Sequence, residues 1–312
     1  MFRLGHLSDP HLHLPAEPTL RQLASKRAVG YYNWTRNRRG VLNATSLGGL
    51  VADIHDQAPD HIAVTGDLVN IALPAELEPA RVFLDALGSP DAVSVVPGNH
   101  DAYVPGALRR CTEIWAPYMT GDQQVGPVAF PFVRRREEVA IVGTSTARAS
   151  APFLATGVFS ESQALLLSER LQELGEQGLF RVVLIHHPPV RGSTEWHKRL
   201  IGGSRFRAAI RAAGAELILH GHTHLATRME IPGPHGDVPV IGVPSASQEP
   251  GGRNPPARWN LFEIDARSWA VTQIERGYTE PGSAPREIAR HRLAIPRARR
   301  RAAQKPGIFS QA

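Results

Sequence analysis

Several features that would assign a protein to a specialised class are scarce in this sequence. Cys111 is the one cysteine among 312 residues, which excludes an internal disulfide framework and is typical of a reducing compartment. No apolar run reaches the length of a membrane span. The first polar motif begins at Asp9, so we expect too few residues before it for a cleaved signal peptide. We therefore expect a cytoplasmic protein without a transmembrane segment.

Acidic residues are absent between Pro18 and Ala52, although the same stretch is rich in Lys and Arg. This basic stretch directly follows the first motif, so it is a candidate for receiving an anionic substrate. A second basic region is the C-terminus: from Arg286 onward, seven Arg and one Lys against one Glu give a net charge of +7. Since the whole chain carries +6, residues 1–285 carry −1. The basic tail could attract a membrane surface or nucleic acid.

Apolar periodicity along the chain alternates between strands and helices, which favours an α/β fold. With 42% hydrophobic residues, a large core is expected. After Gly221 strands follow one another without helices, which favours a mixed rather than a purely parallel sheet. We predict one domain over residues 1–280. Residues 281–312 are rich in Pro and Arg and are predicted to be a poorly ordered tail.

Seven polar residues, each placed at the end of an apolar run, are the most informative feature. They are Asp9, His11, Asp67, Asn99, His186, His222 and His224. Imidazole, carboxylate and amide oxygen together suit Mn, Fe, Zn or Co. Seven ligands are too many for one tetrahedral ion, but they fit two ions that share a carboxylate. Paired metals of this kind catalyse displacement at phosphorus.

Residues beside these ligands have predicted supporting roles. Gly66 allows a tight turn before Asp67. His100 is placed to face the substrate, and Asp101 to orient it, as in an acid or electrostatic stabiliser. Each motif alone could be an ordinary turn, and their joint order is what favours a site. Four other histidines are interpreted as ordinary core residues: His55, His61, His187 and His220.

The series DPH, GDLVN, GNHD, HHP and GHTH resembles the calcineurin-like metallophosphoesterase superfamily, over about residues 4–226. The resemblance implies an α/β fold in which two mixed β-sheets pack as a sandwich flanked by helices, in four αββα layers. It implies two divalent ions with Asp67 as the bridge: one ion on Asp9, His11, Asp67 and His224, the other on Asp67, Asn99, His186 and His222. It also implies that His100 contacts the scissile phosphate and that Asp101 orients His100. Asn70 is expected to support the ligands by hydrogen bonding.

The predicted function is that of a dinuclear metal-dependent phosphoesterase using Mn and/or Fe, with Zn or Co as options. The residues in these motifs most resemble those in the corresponding motifs of bacterial phosphodiesterases. We therefore expect hydrolysis of cyclic nucleotides or other small phosphodiesters by attack of a metal-bridging hydroxide.

Three alternatives stay open. The first is a pyrophosphohydrolase of a nucleotide-linked lipid precursor, of the UDP-diacylglucosamine type, at the membrane surface. Its support is the segment 26–43, where Arg27, Tyr31, Trp34 and Arg38 could bind substrate. The same segment could instead be a solvated helix whose aromatics pack onto the domain. The others are a nuclease and a catalytically silent scaffold. The oligomeric state is not predicted.

Overall fold

The computed structural model describes residues 1–15, 17–37, 44–252 and 254–297. Seven α-helices lie in these ranges: α1 Leu20–Leu23, α2 Arg27–Asn37, α3 Ala44–Gln57, α4 Pro74–Leu87, α5 Ala107–Ile114, α6 Glu161–Glu176 and α7 Gly203–Ala213. The strands are β1 Phe2–Leu7, β2 His61–Val64, β3 Val93–Val95, β4 Phe132–Arg136, β5 Val139–Gly143, β6 Gly157–Val158, β7 Phe180–Leu184, β8 Leu200–Ile201, β9 Leu217–His220, β10 Thr227–Gly233, β11 Gly236–Gly242, β12 Arg258–Asp265, β13 Ala270–Gly277 and β14 Arg286–Leu293. Short 3₁₀ helices cover Ala116–Tyr118 and Trp196–Lys198.

Two six-stranded mixed sheets organise the chain. The first has the order β14-β13-β12-β1-β2-β3, and the second the order β10-β11-β9-β7-β5-β4. Strands β1, β2 and β3 run parallel, as do β5, β7, β9 and β11, while the strands at the other edges are antiparallel. The expected mixed α/β architecture is confirmed.

The two sheets pack face to face around one buried apolar cluster, to which Leu4 and Val64 of the first sheet and Val182 and Leu219 of the second contribute. Helices α3 and α4 add Leu50, Ile54, Leu77 and Leu84 to it. A second cluster joins the outer face of the second sheet to α6 and α7. This gives four layers, with each sheet covered by helices on its outer face.

Local signals in the sequence explain several boundaries. Ser160 caps α6, because its hydroxyl accepts a hydrogen bond from the Gln163 amide at 3.2 Å. Gly30 lies inside α2 and does not interrupt it. A Cβ at Gly30 would lie 2.5 Å from the Tyr103 hydroxyl and 2.6 Å from Ile71, so glycine there permits close packing.

The C-terminal part of the domain differs from the prediction that an unstructured tail begins at residue 281. Strand β14 pairs with β13 along its length and is the edge strand of the first sheet. Arg290 pairs there with Glu287 of the same strand and with Glu263 of β12, so its charge has acidic partners within the sheet. The basic composition of this region thus predicted a poorly ordered tail where the structure has an edge strand. In the described ranges, no helix is both long and apolar enough to traverse a bilayer.

Candidate metal centre

The sheet topology explains why residues far apart in sequence meet. Each of the seven predicted ligands follows the carboxyl end of a parallel strand: β1, β2 and β3 in the first sheet, β7 and β9 in the second. Carboxyl ends of parallel strands lie at one edge of a sheet, and the sandwich places the two edges side by side. The loops after these five strands therefore converge.

The backbone of these loops is strained. Five candidate ligands have positive φ angles: Asp9 at 53°, His11 at 40°, Asp67 at 56°, His222 at 68° and His224 at 56°. This region costs non-glycine residues free energy, and such residues concentrate at functional sites. The strain indicates that the loops are held for their side-chain geometry rather than for stability.

Gly66 shows why a glycine precedes Asp67. Its φ is 95°, and a Cβ there would lie 2.5 Å from the amide nitrogen of Gly98. Because no other residue fits this conformation and this space, the turn requires glycine.

One group of donor atoms forms around Asp9. Its Oδ1 lies 3.2 Å from His224 Nε2 and 3.8 Å from His11 Nε2, and the two imidazole nitrogens are 3.3 Å apart. Oδ1 of Asp9 is buried without a hydrogen-bond partner. An orphaned carboxylate oxygen facing two imidazoles is the donor arrangement of a cation site.

A second group forms around His186. Its Nε2 lies 3.2 Å from Asn99 Oδ1 and 3.3 Å from Asp67 Oδ2. The ring of His222 packs 5.2 Å from that of His186, and the His222 amide donates to Asp9 Oδ2 at 3.0 Å. The same Asp67 Oδ2 lies 4.0 Å from His11 Nε2. Asp67 therefore stands between the two groups.

Three of the four histidines have their second ring nitrogen fixed by a backbone carbonyl. His11 Nδ1 donates to Val69 at 3.2 Å, and His186 Nδ1 donates to Thr65 at 2.6 Å. His222 uses the opposite nitrogen, with Nε2 donating to Lys198 at 3.0 Å. Carbonyl acceptors of this kind set the tautomer of metal-bound histidines, and they leave the other nitrogen to the metal. The donor set therefore fits divalent ions of the Mn, Fe, Zn and Co group.

The electrostatics of the buried carboxylates point the same way. Burial alone would raise the pKa of Asp67, but the charges of His186 and His100 outweigh it and hold this pKa well below its ordinary value. For His186, burial lowers the pKa, and the stronger combined effect of Asp67 and Asp9 raises it to about 9. Burial would likewise raise the pKa of Asp9, but the charge of His224 outweighs it and lowers this pKa. Asp9 and Asp67 are therefore both ionised, and buried ionised groups are stabilised by counter-charges or metal ions.

His187 lies among these groups but has a different role. Its Nε2 donates to the Ala155 carbonyl at 3.1 Å, and its Nδ1 accepts from the Thr146 hydroxyl at 2.7 Å. With both nitrogens in use, His187 is a structural residue. Two other histidines interpreted as core residues are buried and contact hydroxyls or carbonyls: His61 with Ser94, and His220 with Thr227 and Gly221. The prediction was wrong for His55, which is exposed on α3 and contacts the Ala86 carbonyl.

His100 lies beside the two groups of candidate ligand atoms. Its Nδ1 donates to the Asn70 carbonyl, and its ring packs edge-on against His11 at 4.8 Å. The His100 amide donates to Asp67 Oδ1 at 2.7 Å. Because Nδ1 is fixed, Nε2 is the nitrogen that would meet a substrate.

Asp101 makes different contacts from those the resemblance implied. Its carboxylate accepts backbone hydrogen bonds from the 66–69 loop and from Gly98, at 2.7–3.3 Å. The His100 Nδ1 instead donates to the Asn70 carbonyl. Asp101 therefore ties the Asp67 loop to the Asn99 loop. Asn70, for its part, donates from Nδ2 to the Leu12 carbonyl at 2.6 Å.

A cavity of about 670 Å³ opens beside Asn99 and His100. Its walls come from Lys26 and the α2 helix that follows it, from Tyr103, from the loop 153–155 and from the short 3₁₀ helix Trp196–Lys198. We call the seven candidate ligands with His100 and Asp101 the floor. We call the residues of these walls that line the cavity the rim.

The predicted substrate-binding residues are only partly in this rim. Trp34 lines the cavity although it is buried, and Tyr31 stacks on Trp34 at 6.0 Å. The Arg27 guanidinium donates to the carbonyls of Ile71 and Ala72 at 2.9 and 2.6 Å, which makes it a brace for that loop. Arg38 lies outside the described residues.

Most residues of the rim were not predicted as site residues, among them Lys26, Tyr103, Phe153 and Trp196. Tyr103 stacks on His100 at 5.4 Å, and Lys26 lies over the Tyr103 ring at 4.5 Å. Their positions depend on contacts between distant loops, which local patterns do not encode. The one sequence signal was the placement of Lys26 in the acid-free stretch.

Comparison with known proteins agrees with this geometry. The family model for calcineurin-like phosphoesterases matches residues 2–226. A probable cyclic nucleotide phosphodiesterase from Synechococcus sp. is 27% identical over 232 residues, covering 73% of this chain and 80% of the relative. The glycerophosphodiester phosphodiesterase GpdQ from Enterobacter lignolyticus is 25% identical over 233 residues, covering 72% and 71%.

Solved structures share the fold. A dimetal phosphatase from Danio rerio superposes with a TM-score of 0.60 at 15% identity, covering 92% of this chain and 98% of the other. A purple acid phosphatase from yellow lupin superposes with a TM-score of 0.53 at 12% identity, covering 88% and 51%.

Proposed function

Because this chain belongs to the calcineurin-like phosphoesterase family and is a phosphoric ester hydrolase, we propose that it cleaves small phosphodiesters at a centre of two divalent metal ions. In the proposed centre, Asp9, His11, Asp67 and His224 hold one ion. Asp67, Asn99, His186 and His222 hold the other. When bound, such a pair neutralises charge on the phosphate oxygens and lowers the pKa of a water molecule.

The observation that carries this proposal is the position of Asp67. One of its oxygens, Oδ2, faces His186 Nε2 at 3.3 Å and His11 Nε2 at 4.0 Å, and these nitrogens belong to different donor groups. Its other oxygen accepts the His100 amide. A carboxylate in this position supports a bridge between two ions rather than a single site.

His100 is the proposed acid or electrostatic stabiliser. Its Nδ1 is held by the Asn70 carbonyl, so the ring is fixed with Nε2 toward the substrate side. From there it would stabilise charge on the phosphate or give a proton to the leaving oxygen. Stacking against Tyr103 holds the ring plane.

A diester rather than a monoester is favoured by the space beside the site. The cavity of about 670 Å³ extends away from Asn99 and His100 and has room for a group esterified to the phosphate. The two curated relatives described above are both named as phosphodiesterases, one for cyclic nucleotides and one for glycerophosphodiesters. The choice between these substrate classes is made in the rim.

A turnover panel tests the proposal. Purified protein loaded with Mn²⁺ is assayed with bis(p-nitrophenyl) phosphate, p-nitrophenyl phosphate, cyclic AMP and a UDP-linked acyl sugar, with the Asp67→Ala variant as blank. We expect faster turnover of the diesters than of the monoester. Turnover of the UDP-linked substrate alone would replace the proposal with the pyrophosphohydrolase alternative. Metal-loaded protein that turns over none of them would favour the scaffold alternative.

A further inference from the structure

Two large aromatic side chains stand exposed in the rim. Phe153 is 78% exposed and Trp196 is 69% exposed, and both line the cavity beside His100. Exposing a large apolar surface costs free energy, and an exposed apolar patch rimmed by polar groups marks a binding site. Since the cavity is next to the proposed chemistry, its ligand would be the group attached to the phosphate.

The backbone at Phe153 is held in an unfavourable conformation. Its φ is 65°, in the left-handed region, which is rarely adopted by a bulky residue. Such strain persists only where surrounding contacts determine it, and it concentrates at ligand clamps. The Phe153 side chain therefore lines the cavity because surrounding contacts fix its backbone, and not because the loop is loosely packed.

Hydrogen bonds on both sides of Phe153 hold its loop in this conformation. The Lys26 ammonium donates to Ser150 Oγ and to the Leu154 carbonyl, both at 2.8 Å, and so ties the loop to α2. The Ala155 amide donates to the His197 carbonyl at 2.9 Å, which joins the Phe153 loop to the Trp196 segment. The two aromatics are thus carried by one connected unit.

This unit is bonded to one histidine of the floor, His222, and to the structural residue His187, which packs against it. His187 donates to the Ala155 carbonyl at 3.1 Å, and His222 donates to the Lys198 carbonyl at 3.0 Å. Phe153 lies two residues before the first acceptor, and Trp196 two residues before the second. The positions of both rings are therefore fixed relative to the metal groups, which preorganises them for a ligand held there.

The charge of the residues that line the cavity indicates which other groups the ligand carries. Among its described lining residues none is acidic, and Lys26 and Lys198 contribute positive charge. Lys198 is partly neutralised by Glu195 at 3.5 Å, and burial lowers the pKa of Lys26 to about 8, so the positive charge of the cavity is modest. Positive charge together with exposed aromatic faces is how proteins bind a nucleotide, through its phosphate and its base.

We propose that Phe153 and Trp196 form a base-binding subsite, so that the preferred diesters carry a nucleoside on the scissile phosphate. This inference rests on the proposed function and refines its substrate class. In it, Phe153 and Trp196 contact the base by stacking, while Lys26 is a positioning residue that fixes the Phe153 loop. Diesters without a planar group, such as glycerophosphodiesters, gain nothing from the subsite.

The test compares two substrates across variants of the full-length, metal-loaded protein. Trp196→Ala and Phe153→Ala are assayed with cyclic AMP and with glycerophosphoethanolamine. Loss of stacking should lower kcat/KM for cyclic AMP about 5- to 100-fold, mainly through KM, and leave glycerophosphoethanolamine within about twofold. Trp196→Phe should restore most of the loss. Tyr32→Ala is the matched control, since Tyr32 is an exposed aromatic of α2 that does not line the cavity.

Binding of AMP and of inorganic phosphate, measured by calorimetry on the same variants, separates this inference from the proposed function. If no diester is hydrolysed but AMP binding weakens in Trp196→Ala while phosphate binding does not, the subsite stands and the phosphodiesterase proposal falls. If diesters are hydrolysed but the variants leave cyclic AMP turnover and AMP binding unchanged, the subsite is wrong. Equal losses with both substrates would also overturn it.

Discussion

The floor and the rim of this site are built in different ways. Floor residues lie in short loops at the carboxyl ends of five parallel strands, and the candidate ligands among them are buried or nearly so. Rim residues come from several separate segments outside the sheets, and two of the large aromatic ones, Phe153 and Trp196, are exposed. The floor is fixed by the sheets, whereas the rim is fixed by a few hydrogen bonds between loops.

This difference separates chemistry from selection. A floor attached to the sheets suits a task that demands constant geometry, namely holding two cations and a phosphate. A rim attached to loops changes with little effect on the core, so it is where relatives with the same chemistry can differ in substrate. Changes in the floor should therefore affect every substrate, and changes in the rim should affect some substrates and not others.

The largest effect is expected from Asp67→Ala. Removing the carboxylate between His186 and His11 takes away the proposed bridge between the two donor groups, so activity should fall to the blank with every substrate. Assays with both a diester and a monoester, together with metal analysis, check this. Asp56→Ala, which removes an exposed carboxylate from α3, is the matched control and should behave as wild type. Substantial activity in Asp67→Ala would contradict the bridging role.

His100→Ala should come next. It leaves the candidate metal ligands in place but removes the group aimed at the substrate, so kcat should fall by about 10²- to 10³-fold while metal content is kept. Steady-state kinetics and metal analysis on the same sample measure both. An unchanged kcat would remove His100 from the mechanism.

Asp101→Asn distinguishes two roles for that residue. As a tie between the Asp67 and Asn99 loops, Asp101 uses both oxygens, and an amide replaces one acceptor with a donor that faces backbone N–H groups. Metal affinity should therefore weaken about 10- to 100-fold. Metal titration of stripped protein tests this. Normal affinity with a large loss of kcat would instead support the role implied by the resemblance, in which Asp101 orients His100.

Two neighbouring residues, Lys26 and Arg27, allow the rim to be tested directly. Arg27→Met should lower the free energy of unfolding by about 1–3 kcal/mol, because two backbone carbonyls lose their donor, and should leave KM unchanged. Lys26→Met should raise KM for nucleotide diesters, because the Phe153 loop loses its tie to α2. Denaturant unfolding and kinetics on both variants provide the comparison. A raised KM in Arg27→Met at wild-type stability would return Arg27 to the substrate-binding residues.

The smallest effect concerns pH and the start of β2, away from the site. Burial, followed by the charges of Arg136 and Arg134, lowers the pKa of His61 to about 3. The unfolded chain, with an ordinary pKa near 6.5, binds a proton first, so stability falls as pH drops from 6.5 toward 3. From this residue alone the loss at pH 5 relative to pH 8 is about 2 kcal/mol.

Urea unfolding of the wild type and His61→Gln at both pH values checks this contribution. The variant should lose less stability than the wild type on acidification. His55→Gln, which changes an exposed histidine, is the control and should keep the wild-type dependence. A parallel decline in all three proteins would mean that His61 does not control it.

Prediction from the sequence succeeded where residues follow strands. The apolar runs before Asp9, Asp67 and His186 identify strands, and parallel strands bring their carboxyl ends together whatever the distance in sequence. The α/β class was predicted from these runs, whereas the family and its two-sheet sandwich were predicted from the resemblance of the motif series, and both predictions are confirmed. The ligand set itself stays a prediction, supported by the way the structure gathers its members.

Prediction failed where position depends on contacts between loops. Arg27 and Lys26 are adjacent and both basic, and nothing in the sequence indicates that one braces a backbone loop while the other lines the cavity. Phe153 and Trp196 lie in loops without periodicity, so their convergence was invisible. Strand β14 was missed because its Arg-rich composition is also that of a disordered tail.

The central claim is that Asp67 joins two metal sites. The most direct test is anomalous diffraction from crystals of the protein soaked in Mn²⁺. We predict two peaks on either side of Asp67 Oδ2, one beside His11 and His224 and the other beside His186 and His222. A single peak, or peaks that do not both contact Asp67, would contradict the account.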